Sequence, residues 1–178
     1  MTGDERIRLF CGLRLPEEVL DTLGRWQRDA LPDGRVVERG NLHVTLAFLG
    51  HRPRAELEPV CRELRAAAAA VSEPIVLEPI NYRETRSVGM LVLADEGGRA
   101  GALARDLHGR LERLGVYRPE GREWLPHLTV LRFRQRPRLR PEVPPLGRFS
   151  PSDAAAFLSR LSPAGARYEV LESVALGG

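Results

Sequence analysis

The chain has 178 residues, of which 43% are hydrophobic and 29% charged, with a formal net charge of +3; this suits one domain of ordinary size and excludes collagen-like, coiled-coil and wholly disordered classes. No stretch approaches the roughly 20 apolar residues that span a bilayer, and the start, Met-Thr-Gly-Asp-Glu-Arg, turns acidic before an apolar signal core can begin, so a cytoplasmic protein with no membrane partner is expected. All 27 basic residues are arginine, which a GC-rich coding bias explains, and which also suits phosphate, because guanidinium is a planar, bidentate and permanently charged fork.

Ile7, Leu9, Cys11, Leu13 and Leu15 alternate strictly, the period of a half-buried strand over 6–15. Pro16-Glu17-Glu18 opens a helix whose face runs through Val19, Leu20, Leu23, Trp26 and residues 27–31, and Pro32-Asp33-Gly34 turns the chain. Val36-Val37 is short and extended, and residues 42–49 form a second strand. A helix follows over 54–71, with Pro59 in its first turn. Residues 75–80 and 88–94 read as strands on either side of a polar stretch, 81–87. After the turn Asp95-Glu96-Gly97-Gly98, Leu103, Leu107, Leu111 and Leu114 define an amphipathic helix over 101–114, closed by Gly115. Residues 125–133 make the next strand, and a proline- and arginine-rich loop extends to Arg148. Over 152–161 the alanines and a Ser152/Asp153 cap favour helix, whereas Ser162-Pro163-Ala164-Gly165 followed by 167–176 favours a hairpin; the hairpin is the expectation. The order is that of an α+β protein with mainly antiparallel pairing. Cys11 and Cys61 match no metal-ligand spacing and read as reduced core thiols.

One internal similarity stands out. Asn41-Leu42-His43-Val44-Thr45-Leu46 and Leu125-Pro126-His127-Leu128-Thr129-Val130 both read His, apolar, Thr, apolar, 84 residues apart. With four histidines and five threonines in the chain, two such coincidences have odds of roughly 1 in 200, so the pair is a signal where one copy would not be. Residues two apart on a strand share a face. His43 and Thr45 therefore point one way while Val44 and Leu46 anchor the other, and His127 with Thr129 repeats the arrangement. If two duplicated lobes face each other, two imidazoles and two hydroxyls converge on one cleft. Imidazole titrates near neutrality, so one ring can be a base while the other is an acid. Displacement at phosphorus needs such groups on opposite sides, with hydroxyl donors at the equatorial oxygens.

Here the sequence resembles the two-histidine (2H) phosphoesterase superfamily, and within it the bacterial and archaeal RNA 2′,3′-cyclic phosphodiesterases of LigT type, historically called 2′-5′ RNA ligases. The resemblance runs from Arg8-Leu9-Phe10 and Leu15-Pro16-Glu17-Glu18 through the first motif with Phe48-Leu49-Gly50. It continues through Pro126-His127-Leu128-Thr129-Val130-Leu131-Arg132 to Gly165-Ala166-Arg167-Tyr168-Glu169-Val170-Leu171. It implies one domain over residues 1–178 made of two pseudo-symmetric lobes, duplicated antiparallel sheets with helices outside and a central cleft carrying both His-x-Thr-x motifs. The implied reaction is hydrolysis of a 2′,3′-cyclic phosphate on RNA or a nucleotide to a 2′-phosphomonoester, by a monomer, with no metal and no cofactor. His43 would donate a proton to the leaving 3′ oxygen and His127 would activate water. Thr45 and Thr129 would hold the phosphate oxygens. Arg132 matches an arginine that often follows the second motif, but it lies five residues from His127 and so on the opposite face of a regular strand unless a bulge intervenes. Glu123-Trp124-Leu125 departs from the family pattern, which more often has a basic residue there.

The other histidines, His51 in a loop and His108 on a helix, lack a Thr partner and read as surface residues; Trp26 and Trp124 read as core. Phe10 and Tyr168 are candidates to stack on a base, with burial the simpler role for Phe10. Four histidines with no Cys or acid at ligand spacing argue against a metal site. The alternating arginines Arg132, Arg134, Arg136, Arg138 and Arg140 suit either a solvated face or a polyanion-binding rim. Two alternatives remain open on sequence: a 2′-5′ RNA ligase or small cyclic-nucleotide phosphodiesterase of the same superfamily, and an RNA-binding module without turnover.

Overall fold

The computed structural model describes residues 5–177; Met1–Asp4, part of the acidic start, and Gly178 lie outside the described residues. The elements are β1 (Arg6–Arg14), α1 (Glu17–Ala30), β2 (Arg35–Val36), β3 (Val44–Pro53), α2 (Leu57–Ala69), β4 (Leu77–Glu84), β5 (Val88–Asp95), α3 (Arg99–Leu114), β6 (His127–Arg132), β7 (Asp153–Ser162) and β8 (Gly165–Val174). They form two four-stranded sheets, ordered β3-β1-β7-β8 and β2-β6-β5-β4, and every pairing is antiparallel. This is the bilobal α+β arrangement expected from the sequence. Among the described residues no helix is long and apolar enough to cross a membrane.

Each helix follows from local chemistry. Glu17 and Glu18 face the positive end of α1 and Arg28 its negative end, and Val19, Leu23, Trp26 and Gln27 are its buried stripe. Pro59 is the third residue of α2, where a missing N–H leaves no helical bond unmade. The Asp95 carboxylate caps α3 by accepting from the N–H groups of Ala100 and Gly101 at 2.9 and 2.8 Å. One buried cluster draws on all three helices and both sheets, from Leu13 and Val44 on one side to Leu91 and Leu128 on the other. Cys11 and Cys61 are free within it, and burial pushes their thiols up to about 12 and about 11, so both stay protonated.

Several boundaries differ from the sequence expectation. β4 runs on to Glu84 through the stretch read as a polar connection. Tyr82 and Glu84 turn inward on an edge strand whose other face is wet, so hydrophobicity does not mark it. β3 extends to Pro53 because β1 pairs with it along its whole length, which puts His51 on a strand rather than in a loop. The 152–161 segment is a strand of the expected hairpin, with Ser162 paired to Gly165.

Three irregularities interrupt the ladders of the motif strands. Leu9 pairs with Gly50 and Phe10 with Phe48, leaving Leu49 extra beyond the first motif, and the other two lie within the motifs. Between β1 and β3, Cys11 pairs with Ala47 and Gly12 with Thr45, leaving Leu46 as an extra residue. Between β5 and β6, Gly89 pairs with Leu131 and Met90 with Thr129, leaving Val130 extra. These are β-bulges. The carbonyls of Leu46 and Val130 each receive a side-chain donor from a helix: His108 Nε2 on α3 lies 2.7 Å from the Leu46 oxygen, and Gln27 Nε2 on α1 donates to the Val130 oxygen at 2.9 Å. His108 is therefore no free surface residue. It is half-buried and stacked on Tyr117. Gln27 is 4% exposed and also donates to Val37 at 3.0 Å, tying the start of the first motif's approach to β6. Replacing it with leucine leaves the Val37 carbonyl without a partner and weakens the bulge. Gln27→Leu is expected to lose about 1–2 kcal/mol in urea denaturation with the m-value unchanged.

Candidate active site

The bulges decide which side chains look into the space between the sheets. In a regular strand the residue five after His43 or His127 would face away. One extra residue turns it back. A cleft of about 400 Å³ is lined by His43, Thr45 and Phe48 from the first motif strand and by His127, Thr129 and Arg132 from the second. All five residues singled out from sequence thus share one cleft, Arg132 included. Phe48 was not singled out, although the internal repeat pointed to it: it stands five after His43 as Arg132 stands five after His127.

Both imidazoles are held the same way. Nδ1–H of His43 donates to the main-chain oxygen of Asn41 and Nδ1–H of His127 to that of Leu125, each at 2.8 Å and each two residues back. That bond places the proton on Nδ1 in the neutral ring and leaves Nε2 as the acceptor facing the cleft. The Thr45 hydroxyl donates to Nε2 of His43 at 2.8 Å. Asn41 is itself fixed, because its amide nitrogen donates to Ala166 at 2.8 Å and its amide oxygen accepts from the N–H of Tyr168 at 3.2 Å. The carbonyl that sets the His43 tautomer is therefore anchored on β8.

His43 packs against an aromatic wall. Its ring centroid lies 4.8 Å from Phe10, 5.6 Å from Phe157 and 5.4 Å from Tyr168. Gly12 makes room behind it, since a Cβ there would come within 2.9 Å of the Val44 oxygen and 3.2 Å of the His43 ring. This burial pushes His43 down to about 4; the Asn41 carbonyl opposes the shift, and repulsion from His127 and Arg132 adds to it. Phe10 is buried in that wall, whereas Tyr168 is half-exposed at the cleft.

The cleft carries more positive than negative charge, with Arg8, Arg35, Arg122 and Arg132 against Glu38 and Glu120. Arg122 pairs with Glu120, and Arg132 forms no ion pair among the described residues. Arg8 donates to the Ser159 hydroxyl at 3.1 Å and lies 4.9 Å from the centroid of Phe48, which is 48% exposed. Such a space suits an anion attached to a flat ring. Among the described residues no group of three or more His, Cys, Asp and Glu side chains is arranged to hold a metal ion.

Comparison with known proteins bears on the family and the fold. The family model described as LigT like phosphoesterase matches residues 13–81. An RNA 2′,3′-cyclic phosphodiesterase of Thermus thermophilus is 33% identical over 193 aligned positions, spanning 97% of this chain and 91% of that protein. The chain belongs to the LigT-like phosphoesterase family. A relative of the same name from Methanocaldococcus jannaschii is 24% identical over 93% of this chain and 99% of its own length. The fold of this LigT-like chain superposes on a crystal structure of a Thermus thermophilus protein with a TM-score of 0.80 at 29% identity, covering 96% of this chain and 98% of that one. Escherichia coli LigT complexed with 3′-AMP matches with a TM-score of 0.77 at 25% identity, covering 98% and 100%.

An anion between the rings would offset the repulsion that His127 and Arg132 exert on His43. In the free protein His43 takes its proton only as the pH falls toward about 4. With inorganic phosphate bound, its midpoint is expected to rise by about one unit or more, so that binding near pH 5 takes up a proton. Imidazole NMR across a phosphate titration reads this directly, and a midpoint still at about 4 in saturating phosphate means that no anion sits against His43.

Proposed function

We propose that the cleft hydrolyses a 2′,3′-cyclic phosphate at the end of an RNA or nucleotide to a 2′-phosphomonoester, with the two imidazoles as acid and base and no metal. The observation that carries this reading is the convergence on a single cleft of two imidazoles held alike through Nδ1, the two motif hydroxyls, and the Arg132 guanidinium, which forms no ion pair among the described residues. The names of the relatives support the substrate class, since the Thermus and Methanocaldococcus proteins are RNA 2′,3′-cyclic phosphodiesterases.

In the proposed reaction His127 Nε2 takes a proton from water as its oxygen bonds to phosphorus. The bond from phosphorus to the 3′ oxygen breaks, and His43 Nε2 delivers a proton to that oxygen. The products are a 2′-phosphate and a free 3′-hydroxyl. Burial favours the neutral form of His43, and the incoming anion supplies the field that lets it hold the proton it must give. The Thr45 hydroxyl, now spent on His43, and that of Thr129 turn to the non-bridging oxygens, and Arg132 balances their charge. Phe48, with Arg8 over its ring, offers a face to the nucleobase.

Purified protein should open a 2′,3′-cyclic nucleotide in excess chelator. His43→Ala and His127→Ala should each lose at least about a hundredfold in kcat. On a p-nitrophenyl phosphodiester, whose leaving group needs no proton, His43→Ala should recover most of its loss and His127→Ala should not. Full activity in either variant on the cyclic substrate refutes the reading. Separately, Phe48→Ala should raise KM for a cyclic nucleotide by about tenfold while leaving a base-free cyclic phosphodiester unaffected; an equal effect on both removes Phe48 from base binding.

A further inference from the structure

We propose that Trp124 is a positioning residue that sets the separation of the two imidazoles, a role that rests on the acid–base reading above. Trp124 is half-buried, lies three residues before His127 and packs on the main core. Its indole N–H donates to the main-chain oxygen of Thr45 at 3.0 Å. β3 is the edge of its sheet, so this bond reaches it from outside, from the segment that feeds β6 in the other sheet. The next carbonyl along that segment, Leu125, holds Nδ1–H of His127 at 2.8 Å. At the far end the Thr45 hydroxyl lies 2.8 Å from Nε2 of His43. One unbroken path of hydrogen bonds and short backbone links therefore joins the two rings across the cleft.

The path matters because both rings must reach opposite sides of one phosphorus. A misplacement of about 1 Å can cost on the order of a hundredfold in rate. Apolar packing around Trp124 holds the two sheets together but has no direction, whereas an N–H aimed at one carbonyl does. Trp26 provides a matched control, since its indole N–H donates to Glu142 at 2.8 Å and it takes no part in lining the cleft.

Trp124→Phe keeps an aromatic ring and removes the donor. It is expected to lower kcat about tenfold or more, with KM within about twofold, and to move the His127 imidazole resonances. Trp26→Phe should show a comparable drop in Tm with kcat unchanged. Equal loss of kcat in the two variants overturns the proposal. In the unaltered protein, inorganic phosphate should shift the Trp124 indole N–H resonance together with those of His43 and His127, and leave that of Trp26 in place. Imidazoles that respond while the Trp124 indole stays still overturn the positioning role alone. Imidazoles that do not respond remove the acid–base reading, and this role with it.

Discussion

The extra residue that follows each motif threonine, Leu46 or Val130, decides what the cleft contains. A strand repeats every two residues, so a histidine shares its face with the residues two and four beyond it and never with the fifth. Without Leu46 as a bulge, Ala47 would face the cleft in place of Phe48. Without Val130, Leu131 would face it in place of Arg132. Each bulge interrupts the ladder, and the interruption is offset in the same way twice: the extra side chain is buried, at 1% and 0% exposure, and its carbonyl meets a donor from a helix, His108 in one sheet and Gln27 in the other. Both helices thus shape the cleft without touching it.

The charge on His43 is set by the same framework. Neither ring is held by a carboxylate, which would favour the charged form. Each is held by a neutral carbonyl two residues back, which fixes the tautomer; at His43 that carbonyl favours the charged form but does not outweigh burial. For His43 the aromatic wall then dominates, and Arg132 and His127 push in the same direction. The cleft therefore disfavours a proton on His43 while its arginines attract anions. In the proposed reaction this couples the two, since an anion that enters restores the proton affinity its own turnover requires. Arginine suits such a cleft better than lysine would. It keeps its charge beside other cations, whereas a lysine pressed by the same field could lose its proton.

Much of this was legible in the sequence because it depends on period. The alternation over β1, the stripes of α1 and α3 and the duplicated His-x-Thr spacing are all local patterns, and together they imply two sheets sharing one site. What could not be read depends on partners that lie far off in the chain. β4 beyond Ile80 is polar, and it is a strand because β5 pairs with it. His108 looks like a surface residue until α3 lies against the edge of β3. The position of Arg132 turned on a bulge that the sequence allowed but did not require. A clue was present nonetheless: Leu46-Ala47 and Val130-Leu131 are adjacent apolar pairs at the same offset from each histidine, where strict alternation would give one apolar and one polar residue.

Why the two sheets meet at a working distance is a separate question from why they meet at all. The shared core, running from Leu13 and Val44 to Leu91 and Leu128, accounts for the association, because buried apolar area favours any compact arrangement that hides it. It does not select among arrangements that differ by a fraction of an ångström. Selection needs directional bonds, and among the described residues two that span between the sheets are Trp124 to the Thr45 carbonyl and Arg35 to the Ala164 carbonyl at 3.1 Å. Each ends on a main-chain atom, whose position is fixed by its own strand, rather than on a side chain that could follow its partner. A side-chain pair could stay bonded while the sheets slid past each other; a bond to the backbone cannot. The precision asked of two imidazoles on one phosphate is therefore placed where the chain has least freedom to yield.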